Sequence, residues 1–366
     1  MMKVVHAAET IQGGVATVLK QLALYQVKSG AFSRVRCIVP SSQSSQLEPL
    51  ESQYIIGFER TGRNVTSLIK FTFTLLKTLL KEKPDVIHLH SSFAGIIGRV
   101  LTFLLFPLNR PRVIYCPHAF SFLMSNNGVF KNKFYITIEK ILAKVTSAII
   151  CVSNYEKKQA VMVGMPKEKL HVIHNGVPVV KDIPPECLNP YNTSKINLLF
   201  IGRFDYQKGF DLLLDAMNSL KGTNFHLTAI GSSVHSDFKY DDAENITYTG
   251  WMASKEISKY LAFADCLVIP SRWEGFAMVP LEAMSYGLPI IASNATSLPE
   301  VVEHNKNGLL FDINIAKDLL KTIKMYEPVK FKEMGIHGNV IFNELYTDSN
   351  MINRTMNLYM SEDVKK

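Results

Sequence analysis

The stretch "CLVIPSRWEGFAMVPLEAMSYG", residues 266–287, predicts one complete strand, loop and helix. Its opening run "CLVIPS" is almost continuously apolar, which is typical of a strand that is buried on both faces. "LEAMSYG" predicts a helix, because Pro280 suits a first helical turn and Gly287 suits a helix end. Glu274 is therefore expected in the loop at the carboxyl end of the strand, and Glu282 in the first helical turn. A strand that leads directly into a helix is the repeating unit of a parallel sheet.

The same alternation of apolar runs and helical segments continues along the whole chain. Segments such as "GGVATVLKQLALYQVKSG" carry apolar residues at helical spacing between the runs. The strand candidates are "KVVHAA", "RVRCIVP", "YIIGF", "DVIHLHS", "RVIYCPH", "SAIICVS", "LHVIHNG", "INLLFIG", "FHLTAIG", "ITYTG", "CLVIPS", "PIIAS" and "GLLF". The pattern predicts an α/β fold with parallel sheets.

Two domains are expected, because 366 residues exceed what one hydrophobic core usually supports. Residues 177–195, "VPVVKDIPPECLNPYNTSK", contain four prolines and no clear periodicity, as a linker would. The charge balance changes sign near this segment. Residues 1–185 carry 23 Lys+Arg against 10 Asp+Glu, whereas residues 186–366 carry 17 against 22. We therefore expect two doubly wound domains of similar size, joined by a hinge near residue 185.

The composition bounds the class of protein. Hydrophobic residues make up 47% of the chain and charged residues 20%, which indicates a globular protein. The cysteines are odd in number and form no C-x-x-C pair, so we expect buried thiols in a reducing compartment. They are Cys37, Cys116, Cys151, Cys187 and Cys266. No apolar run suits a signal peptide or a membrane span, and no nucleic-acid-binding motif is present, so a cytoplasmic protein without nucleic-acid partners is expected.

Charged residues that suit an anionic ligand follow the first strand of the second half, in "GRFDYQKG", residues 202–209. Ligands of open α/β sheets bind outside the carboxyl ends of the strands. Arg203 and Lys208 lie there, just before a helix, and a guanidinium and an ammonium beside a helix N-terminus suit a diphosphate. The alternative for this loop is a solvated turn with two surface cations.

Glycine and histidine follow strands of the first half in the same way. Gly13 and Gly14 come after the first strand and open a helix, where a glycine backbone can approach a phosphate or a sugar closely. The alternative is a tight turn. His118 comes directly after the fifth strand.

Glu274 and Glu282 can bracket an extended ligand that has hydroxyl groups at both ends. A carboxylate accepts two hydrogen bonds from a vicinal diol, so Glu282 suits a ribose and Glu274 a hexose. Gly275 and Phe276 add backbone N–H groups beside Glu274. Taken singly, Glu282 could complement a helix dipole and Glu274 could be a surface acid.

The order of motifs from residue 198 to residue 312 closely resembles the retaining family-4 glycosyltransferases with the GT-B fold. The motifs are "GRF…KGF", "YTGW", "PSRWEGFAMVPLEAMSYGLPIIAS" and "LPEVVEHNKNGLLF", with the family's E-x7-E spacing followed by "EAM-x2-G-x-PII". The first half matches more loosely, through "GGV", "PDVIHLHS", "VS" and "NGV". The chain departs from the family at two points: "HAF" stands where the family often has His-Gly, and "TSLPE" where Gly-Gly before "PE" is common.

The resemblance implies roles for individual residues. Arg203 and Lys208 would bind the diphosphate of the donor, Glu282 its ribose, and Glu274 its sugar. His118 would approach the sugar or the acceptor. The remaining substrate-binding residues would be Gly13, Gly14, Gly202, Trp251, Gly275, Phe276 and Ala277. Trp251 would lie near the base, or serve packing alone.

The resemblance also implies a reaction and an organisation of the chain. A sugar would pass, with retention, from a nucleotide diphosphate sugar, UDP favoured and GDP next, to a lipid-linked or saccharide acceptor in polysaccharide biosynthesis. The sequence contains no D-x-D motif, so we expect no metal and no cofactor. An acceptor-binding domain would span residues 1–183 and a nucleotide-sugar domain residues 184–345. A helix within residues 346–366 would cross back to the first domain.

Other functions remain open on the same fold. They are a sugar-nucleotide epimerase, a phosphorylase and a non-catalytic binder of nucleotide sugars. A Rossmann dehydrogenase would need G-x-G-x-x-G after a first strand, which neither "GG" nor "GRFDYQKG" supplies.

Two further features have alternative interpretations. His88 and His90 point to one side of a strand and could form a metal pair, although the sequence indicates no third ligand. Residues 68–83, "LIKFTFTLLKTLLKEK", predict an amphipathic helix that faces a core or, given the basic charge of this half, lies peripherally on an anionic membrane.

Overall fold

The computed structural model describes residues 1–123, 128–180, 188–233 and 243–361, except for the side chain of residue 254. The chain divides into two compact units. The first contains Met1–Asn175 together with the chain from Asp348 onward, and the second contains Gly176–Thr347. The boundary that the sequence suggested, between residues 183 and 184, falls within residues 181–187, outside the described residues.

The first unit is built on a parallel sheet. Its strands are β1 (Met2–Ala8), β2 (Phe32–Pro40), β3 (Ile55–Phe58), β4 (Val86–His90), β5 (Arg112–Cys116), β6 (Ala148–Cys151) and β7 (Leu170–Val172). Its helices are α1 (Gly14–Lys28), α2 (Val65–Glu82), α3 (Ser92–Leu105), α4 (Val129–Ala143), α5 (Asn154–Met162) and, from the end of the chain, α12 (Asp348–Met360). The strand order is β3-β2-β1-β4-β5-β6-β7, so the chain reverses its direction of travel between β1 and β4. Ligands of doubly wound sheets bind at such a switch point.

The second unit repeats the design. Its strands are β8 (Ile196–Ile201), β9 (Phe225–Ile230), β10 (Ile246–Gly250), β11 (Cys266–Ile269), β12 (Ile290–Ser293) and β13 (Gly308–Phe311). Its helices are α6 (Phe210–Asn218), α7 (Ser254–Phe263), α8 (Met278–Ser285), α9 (Leu298–Val301), α10 (Asp318–Lys324) and α11 (Pro328–Leu345). The strands are parallel in the order β10-β9-β8-β11-β12-β13, with the switch point between β8 and β11.

The central strands are buried on both faces, as their continuous apolar sequences require. Every residue of β4, β6, β11 and β12 is buried. Each unit has its own hydrophobic core, formed by these strands and the helices packed on them. The sequence prediction of an α/β fold with two parallel, doubly wound sheets is confirmed, and each strand candidate contains a strand of the structure.

Buried thiols were predicted for all five cysteines, and the four within the described residues are buried and free. Cys187 lies outside the described residues. Among the helices that the structure describes, none combines the length and the apolar character needed to cross a bilayer.

Candidate functional site

The loop between β8 and α6 is held in one conformation by its own residues. The Asp205 carboxylate accepts a hydrogen bond from the Lys208 backbone N–H at 2.9 Å. Gly209 has a φ of 65°, and a Cβ there would lie 1.9 Å from the carbonyl oxygen of Pro270. Only glycine combines that backbone conformation with so close an approach to the end of β11.

A neighbouring ion pair fastens this loop to the segment after β11. The Arg272 guanidinium makes two hydrogen bonds to the Asp211 carboxylate, at 2.7 and 2.6 Å, and one to the Tyr206 carbonyl at 2.7 Å. Its carbon Cζ also lies 3.7 Å from the centre of the Tyr206 ring. The two loops at the switch point of the second sheet therefore form one connected structure.

Lys208 and Glu274, which are 66 residues apart in sequence, meet at this switch point. The Lys208 Nζ donates to Glu274 Oε1 at 2.7 Å, and the Ser271 hydroxyl donates to the same oxygen at 2.7 Å. The Glu274 side chain is only 8% exposed, so its charge is balanced inside the protein. These three residues form the polar wall of a pocket that Ala277 and Pro280 complete.

The backbone of Glu274 is held by two hydroxyl groups that follow β12. The Glu274 N–H donates to Thr296 Oγ1 at 2.9 Å, and Ser297 Oγ donates to the Glu274 carbonyl at 3.3 Å. Thr296 has a φ of 50°, which is unusual for a β-branched residue. The sequence does not predict these two contacts, because no local pattern signals a hydroxyl that reaches a loop more than twenty residues away.

Arg203 is engaged within its own loop. Its guanidinium lies 3.2 Å from the Asp205 carboxylate and donates to Gln207 Oε1 at 2.8 Å. Its side chain is 44% exposed, so it can exchange these partners for a ligand. Of the predicted diphosphate pair, Lys208 thus faces Glu274, and Arg203 lies at the surface after Gly202.

Glu282 lies one helical turn deeper than predicted. Helix α8 begins at Met278, so Glu282 is its fifth residue and not part of its first turn. The helix begins after Ala277, whose backbone is extended and whose side chain makes no cap. Pro280 is tolerated as the third helical residue, where no helical N–H partner is needed.

The Glu282 carboxylate makes no hydrogen bond to another described residue, and burial raises its pKa. Dipole complementation at the helix start does not explain a side chain in the second turn. A half-buried carboxylate without a partner is free to accept hydrogen bonds from a ligand.

Helix α8 is locked at its carboxyl end, which fixes the position of Glu282. Gly287 has a φ of 69°, and the N–H groups of Gly287 and Leu288 donate to the carbonyls of Met284 and Ala283, each at 3.0 Å. This is the Schellman pattern that ends helices. The Asn339 side chain of α11 also donates to the Met284 carbonyl at 3.1 Å and to that of Ser285 at 2.9 Å.

Trp251 follows β10, and its side chain is 58% exposed. At that exposure Trp251 does not pack as a core aromatic residue does.

Gly13 and Gly14 lie where the sequence indicated, at the junction of β1 and α1. Gly13 caps the helix with a φ of 59°, and a Cβ there would meet nothing within 4 Å. Space is therefore open beside this backbone, at the switch point of the first sheet.

His118 lies in a strained turn after β5. His118 and Ala119 have φ values of 54° and 114°, both in the region that favours glycine. The buried Glu156 carboxylate holds the turn: it accepts from the Phe120 N–H at 3.0 Å and from the Val152 N–H at 2.7 Å. Burial raises the pKa of Glu156 to about 7.

The ring of His118 is attached to a row of buried histidines. His118 Nε2 lies 3.0 Å from His90 Nδ1, His90 Nε2 lies 3.1 Å from His6 Nδ1, and His6 Nε2 lies 2.8 Å from Gln26 Oε1. His88 stacks on His90 at 4.1 Å and contacts the Tyr359 hydroxyl of α12 at 2.6 Å. We call Gln26, His6, His90 and His118 the histidine chain.

His6 therefore supplies a third imidazole beside the predicted pair His88 and His90, which the sequence did not indicate. Nitrogen atoms of His6, His88 and His90 lie within 4.8 Å of one another, close enough to share a metal ion. Two of these nitrogens already share a proton in the His6–His90 hydrogen bond, so a metal would have to displace it. A sequence search could not pair His6 with His90 without knowing that β1 and β4 are neighbours.

Two family models match the chain, one in each half. "Glycosyltransferase Family 4" matches residues 12–181, and "Glycosyl transferases group 1" matches residues 189–327. An uncharacterised 41.2 kDa protein in the cps region of Klebsiella pneumoniae is 39% identical, over 98% of this chain and 100% of the relative. An uncharacterised glycosyltransferase of Methanocaldococcus jannaschii is 30% identical, over 74% of this chain and 69% of the relative.

A third relative has a named activity. The UDP-Gal:alpha-D-GlcNAc-diphosphoundecaprenol alpha-1,3-galactosyltransferase of Escherichia coli is 29% identical, over 69% of both chains.

Solved structures match over nearly the whole chain. Sucrose-phosphate synthase from Thermosynechococcus elongatus has a TM-score of 0.80 at 18% identity, with 98% of both chains covered. Anabaena HepE in complex with UDP and glucose has a TM-score of 0.79 at 17% identity, with 98% of this chain and 99% of that chain covered. The two matching models, the relatives and the shared architecture together show that this chain belongs to the family-4 glycosyltransferases and has their GT-B fold.

Proposed function

We propose that this glycosyltransferase moves a hexose, with retention, from a UDP-sugar to a saccharide carried on a lipid diphosphate, during assembly of a surface polysaccharide. The observation that carries the proposal is the contact between Lys208 Nζ and Glu274 Oε1 at 2.7 Å. An ammonium and a carboxylate at the carboxyl edge of one parallel sheet can bind the two groups that a nucleotide sugar presents side by side. The ammonium binds the diphosphate, and the carboxylate accepts hydrogen bonds from the sugar hydroxyl groups.

Lys208 and Arg203 stabilise the leaving group. When the bond between the anomeric carbon and the diphosphate breaks, negative charge grows on the departing oxygen, and fixed cations at that oxygen lower the barrier. Lys208 exchanges Glu274 for the phosphate, and Arg203 exchanges Asp205. The acceptor oxygen bonds to the anomeric carbon on the same face of the sugar, its proton passes to the departing diphosphate oxygen, and we assign no protein nucleophile. The two cations take the role that a metal ion has in other transferases.

Two carboxylates hold the ends of the donor. Glu282, half-buried and without a hydrogen-bond partner among the described residues, accepts hydrogen bonds from the ribose hydroxyls. Glu274, with its backbone fixed by Thr296 and Ser297, accepts those of the sugar. Both carboxylates lie on the same strand-loop-helix unit, so the distance between ribose and sugar is set by one short piece of chain.

Similarity to characterised proteins supports the donor and the acceptor. Anabaena HepE was crystallised with UDP and glucose. The Escherichia coli relative is named for UDP-galactose and for an acceptor linked to diphosphoundecaprenol. The Klebsiella pneumoniae relative is named for its cps region.

Melting curves with UDP, GDP and ADP, each in the presence of EDTA, test the donor. Ligands that bind the folded state raise its melting temperature. We expect a rise with UDP that Glu282→Ala removes and that Glu303→Ala, an exposed acid of the same unit, retains. A larger rise with GDP would show that the donor carries guanine and not uracil. A rise that appears only when a divalent cation replaces the EDTA would contradict metal independence.

Transfer is measured with UDP-hexoses and a polyprenyl-diphosphate-linked N-acetylhexosamine, and the anomeric configuration of the product is read by NMR. An inverted product, or release of a free sugar isomer, would contradict the proposed reaction.

We also propose that helices α2, α3 and α4 form a surface that rests on anionic lipid, which we call the helical face. Large apolar side chains point outward from these helices. They are Ile69, Phe73, Phe103, Leu104, Phe130 and Phe134, with exposed fractions from 44% to 89%. Lysines accompany them, among them Lys77, Lys81 and Lys133.

The helical face carries no exposed acid in its three helices. Their only carboxylates, Glu82 and Glu139, are buried and paired with arginines, at 3.0 Å to Arg34 and 2.9 Å to Arg99. Apolar side chains among cations, without acids, are the pattern of a surface that inserts shallowly between anionic headgroups.

Flotation with phosphatidylglycerol and phosphatidylcholine vesicles tests this surface. We expect binding to the anionic vesicles at low salt, with loss in the double variant Phe73→Ser/Phe130→Ser. Ile336→Ser, an exposed apolar residue of α11, is the control and should still float. Equal flotation of all three proteins, or none of the wild type, would remove the membrane from the proposal.

A further inference from the structure

The histidine chain connects residues from four elements of the first unit. Gln26 lies on α1, His6 on β1, His90 on β4 and His118 in the turn after β5. Each of the three contacts joins one ring nitrogen to the next group, at 2.8, 3.1 and 3.0 Å. Both nitrogens of His6 and of His90 are used, and only Nδ1 of His118 has no hydrogen-bond partner among the described residues.

The rings are neutral at physiological pH, which makes the position of each proton meaningful. Burial lowers the pKa of His6 and that of His118 to about 4. Burial also lowers the pKa of His90 well below its usual range, with the neighbouring imidazoles adding to the effect. A neutral imidazole carries one proton, so one nitrogen donates and the other accepts.

Gln26, at one end of the histidine chain, determines which nitrogen donates and which accepts in every hydrogen bond of the chain. A carbonyl oxygen only accepts, so Gln26 Oε1 requires the proton of His6 on Nε2. Nδ1 of His6 must then accept, which requires the proton of His90 on Nε2. Nδ1 of His90 must accept in turn, which requires the proton of His118 on Nε2.

We infer that Gln26 is a positioning residue, which through His6 and His90 fixes His118 in the tautomer that carries its proton on Nε2 and leaves Nδ1 as an acceptor. The inference rests on the proposed function for the role of His118, since a free Nδ1 lone pair accepts a hydrogen bond from a hydroxyl group of a sugar. The opposite tautomer would present an N–H there, which accepts nothing. The Glu156 carboxylate accepts a hydrogen bond from the backbone of the same turn, so both the position of the His118 ring and its tautomer are fixed.

The tautomers are read directly by NMR. The protein is labelled with 15N-histidine, and the two ring nitrogens are correlated with the ring carbon-bound protons at pH 7.5, without substrate. Signals are assigned with His6→Gln, His90→Gln and His118→Gln. We expect the proton on Nε2 in all three rings of the wild type.

Gln26→Met removes the acceptor at similar volume, and His118 should then shift from one tautomer to a mixture of both. Gln26→Glu keeps the acceptor and should keep the proton of His118 on Nε2. This variant provides a second test if Gln26→Met does not fold. Gln21→Met is the matched control: Gln21 is buried on the same helix, its amide atoms have no hydrogen-bond partner in the part of the chain that the structure describes, and the His118 signal should not change.

A proton on Nδ1 of His118 in the wild type, or an unchanged His118 tautomer in Gln26→Met, would overturn the inference. Both readouts are independent of sugar transfer. A protein with the expected tautomers that transfers no hexose contradicts the proposed function alone, and one that transfers hexose with the opposite tautomer contradicts this inference alone.

Discussion

Ala119 and Thr296 occupy backbone conformations that favour glycine, with φ values of 114° and 50°. They lie within "HAF" and "TSLPE", the two segments where the sequence departs from glycines that are common in the family. Thr296 has a visible compensation, because its hydroxyl holds the backbone N–H of Glu274. The turn at Ala119 is held by the Glu156 carboxylate, which accepts hydrogen bonds from the backbone N–H groups of Phe120 and Val152.

Ala119→Gly is therefore expected to stabilise the protein. Relief of a strained left-handed conformation is worth roughly 1 kcal/mol in the free energy of unfolding. Ala160→Gly makes the same change of residue type at a buried position in helix α5. It should lower the free energy of unfolding by at least about 1 kcal/mol. Urea denaturation of both variants measures the difference, and a loss of stability in Ala119→Gly would show that the strain is absent.

Lys208→Ala should reduce sugar transfer on the order of a hundredfold or more, the scale of losing one fixed charge donor. Its matched control is Lys221→Ala, which removes an exposed charge from the same unit. Steady-state rates with a UDP-hexose give the ratio, and melting curves show whether the loss of the partner of Glu274 also lowers stability. Near-normal turnover would remove Lys208 from the diphosphate site.

Glu156 gives the stability of the protein a pH dependence of known sign. Its pKa rises from 4.5 to about 7 on folding, so the folded state binds more protons in that range. The contribution of Glu156 to the free energy of unfolding therefore falls as the pH rises through that range, by about 2 to 3 kcal/mol between pH 5 and pH 8. Glu156→Gln cannot ionise and should lack this slope. Urea denaturation at several pH values compares the two, and parallel profiles would contradict the shift.

At the scale of elements, strands were predictable and contacts between distant loops were not. Each strand is an apolar run of its own, so a local pattern identifies it. The start of α8 was placed near Pro280 and lies at Met278, because the preceding loop, and not a local cap, decides where the helix begins. Lys208 and Glu274 were assigned to one ligand, and the structure brings them together.

Most of the unpredicted contacts join residues that only the strand order makes neighbours. Thr296 and the histidine chain belong to this group, whereas Ser271 lies only three residues from Glu274. Glu156 is an intermediate case. The S-x-x-E pattern from Ser153 signals a helix start, and Ser153 does accept from the Glu156 N–H at 3.0 Å. The pattern does not reveal that the carboxylate also reaches the turn of His118.

Gly209→Ala tests how tightly the β8–α6 loop is fitted against the end of β11. The added Cβ would lie 1.9 Å from the Pro270 oxygen, so the loop must shift, and Lys208 with it. Gly222→Ala is the control, because it has a similar φ of 76° and nothing within 4 Å of the added carbon. We expect Gly222→Ala to cost about 1 kcal/mol with normal transfer, and Gly209→Ala to cost more and to lose most of its activity. Equal effects in unfolding and turnover assays would show that the close approach is not needed.

At the scale of the whole molecule, the first unit is built from both ends of the chain. Helix α12 buries Met351, Ile352, Met356, Leu358 and Tyr359. The Arg354 side chain also donates to the Val172 carbonyl of β7 at 2.9 Å. At ~1.5–3 kcal/mol for each fully buried apolar side chain, this helix contributes an amount comparable to the stability of a domain.

A chain that ends at Thr347 should therefore lose the stability of its first unit and keep that of its second. Hydrogen exchange read by mass spectrometry is expected to quicken in β1, β4 and α1 and to stay unchanged in β8, β11 and α8. Tyr359→Phe is the graded variant: it removes only the hydroxyl that contacts His88 and should cost about 1–3 kcal/mol. Uniform quickening in both units would show that they do not unfold separately.

The return of α12 also orders the events of synthesis. The first 175 residues emerge from the ribosome before the second unit exists, yet the sheet face that carries His88 is covered only when the last helix arrives. At ~5–20 residues per second, translation of the intervening stretch keeps that face open for roughly 10–40 s. The unit whose synthesis begins first is thus completed only after the other has been made, and a nascent chain would offer this surface to chaperones until helix α12 has left the ribosome.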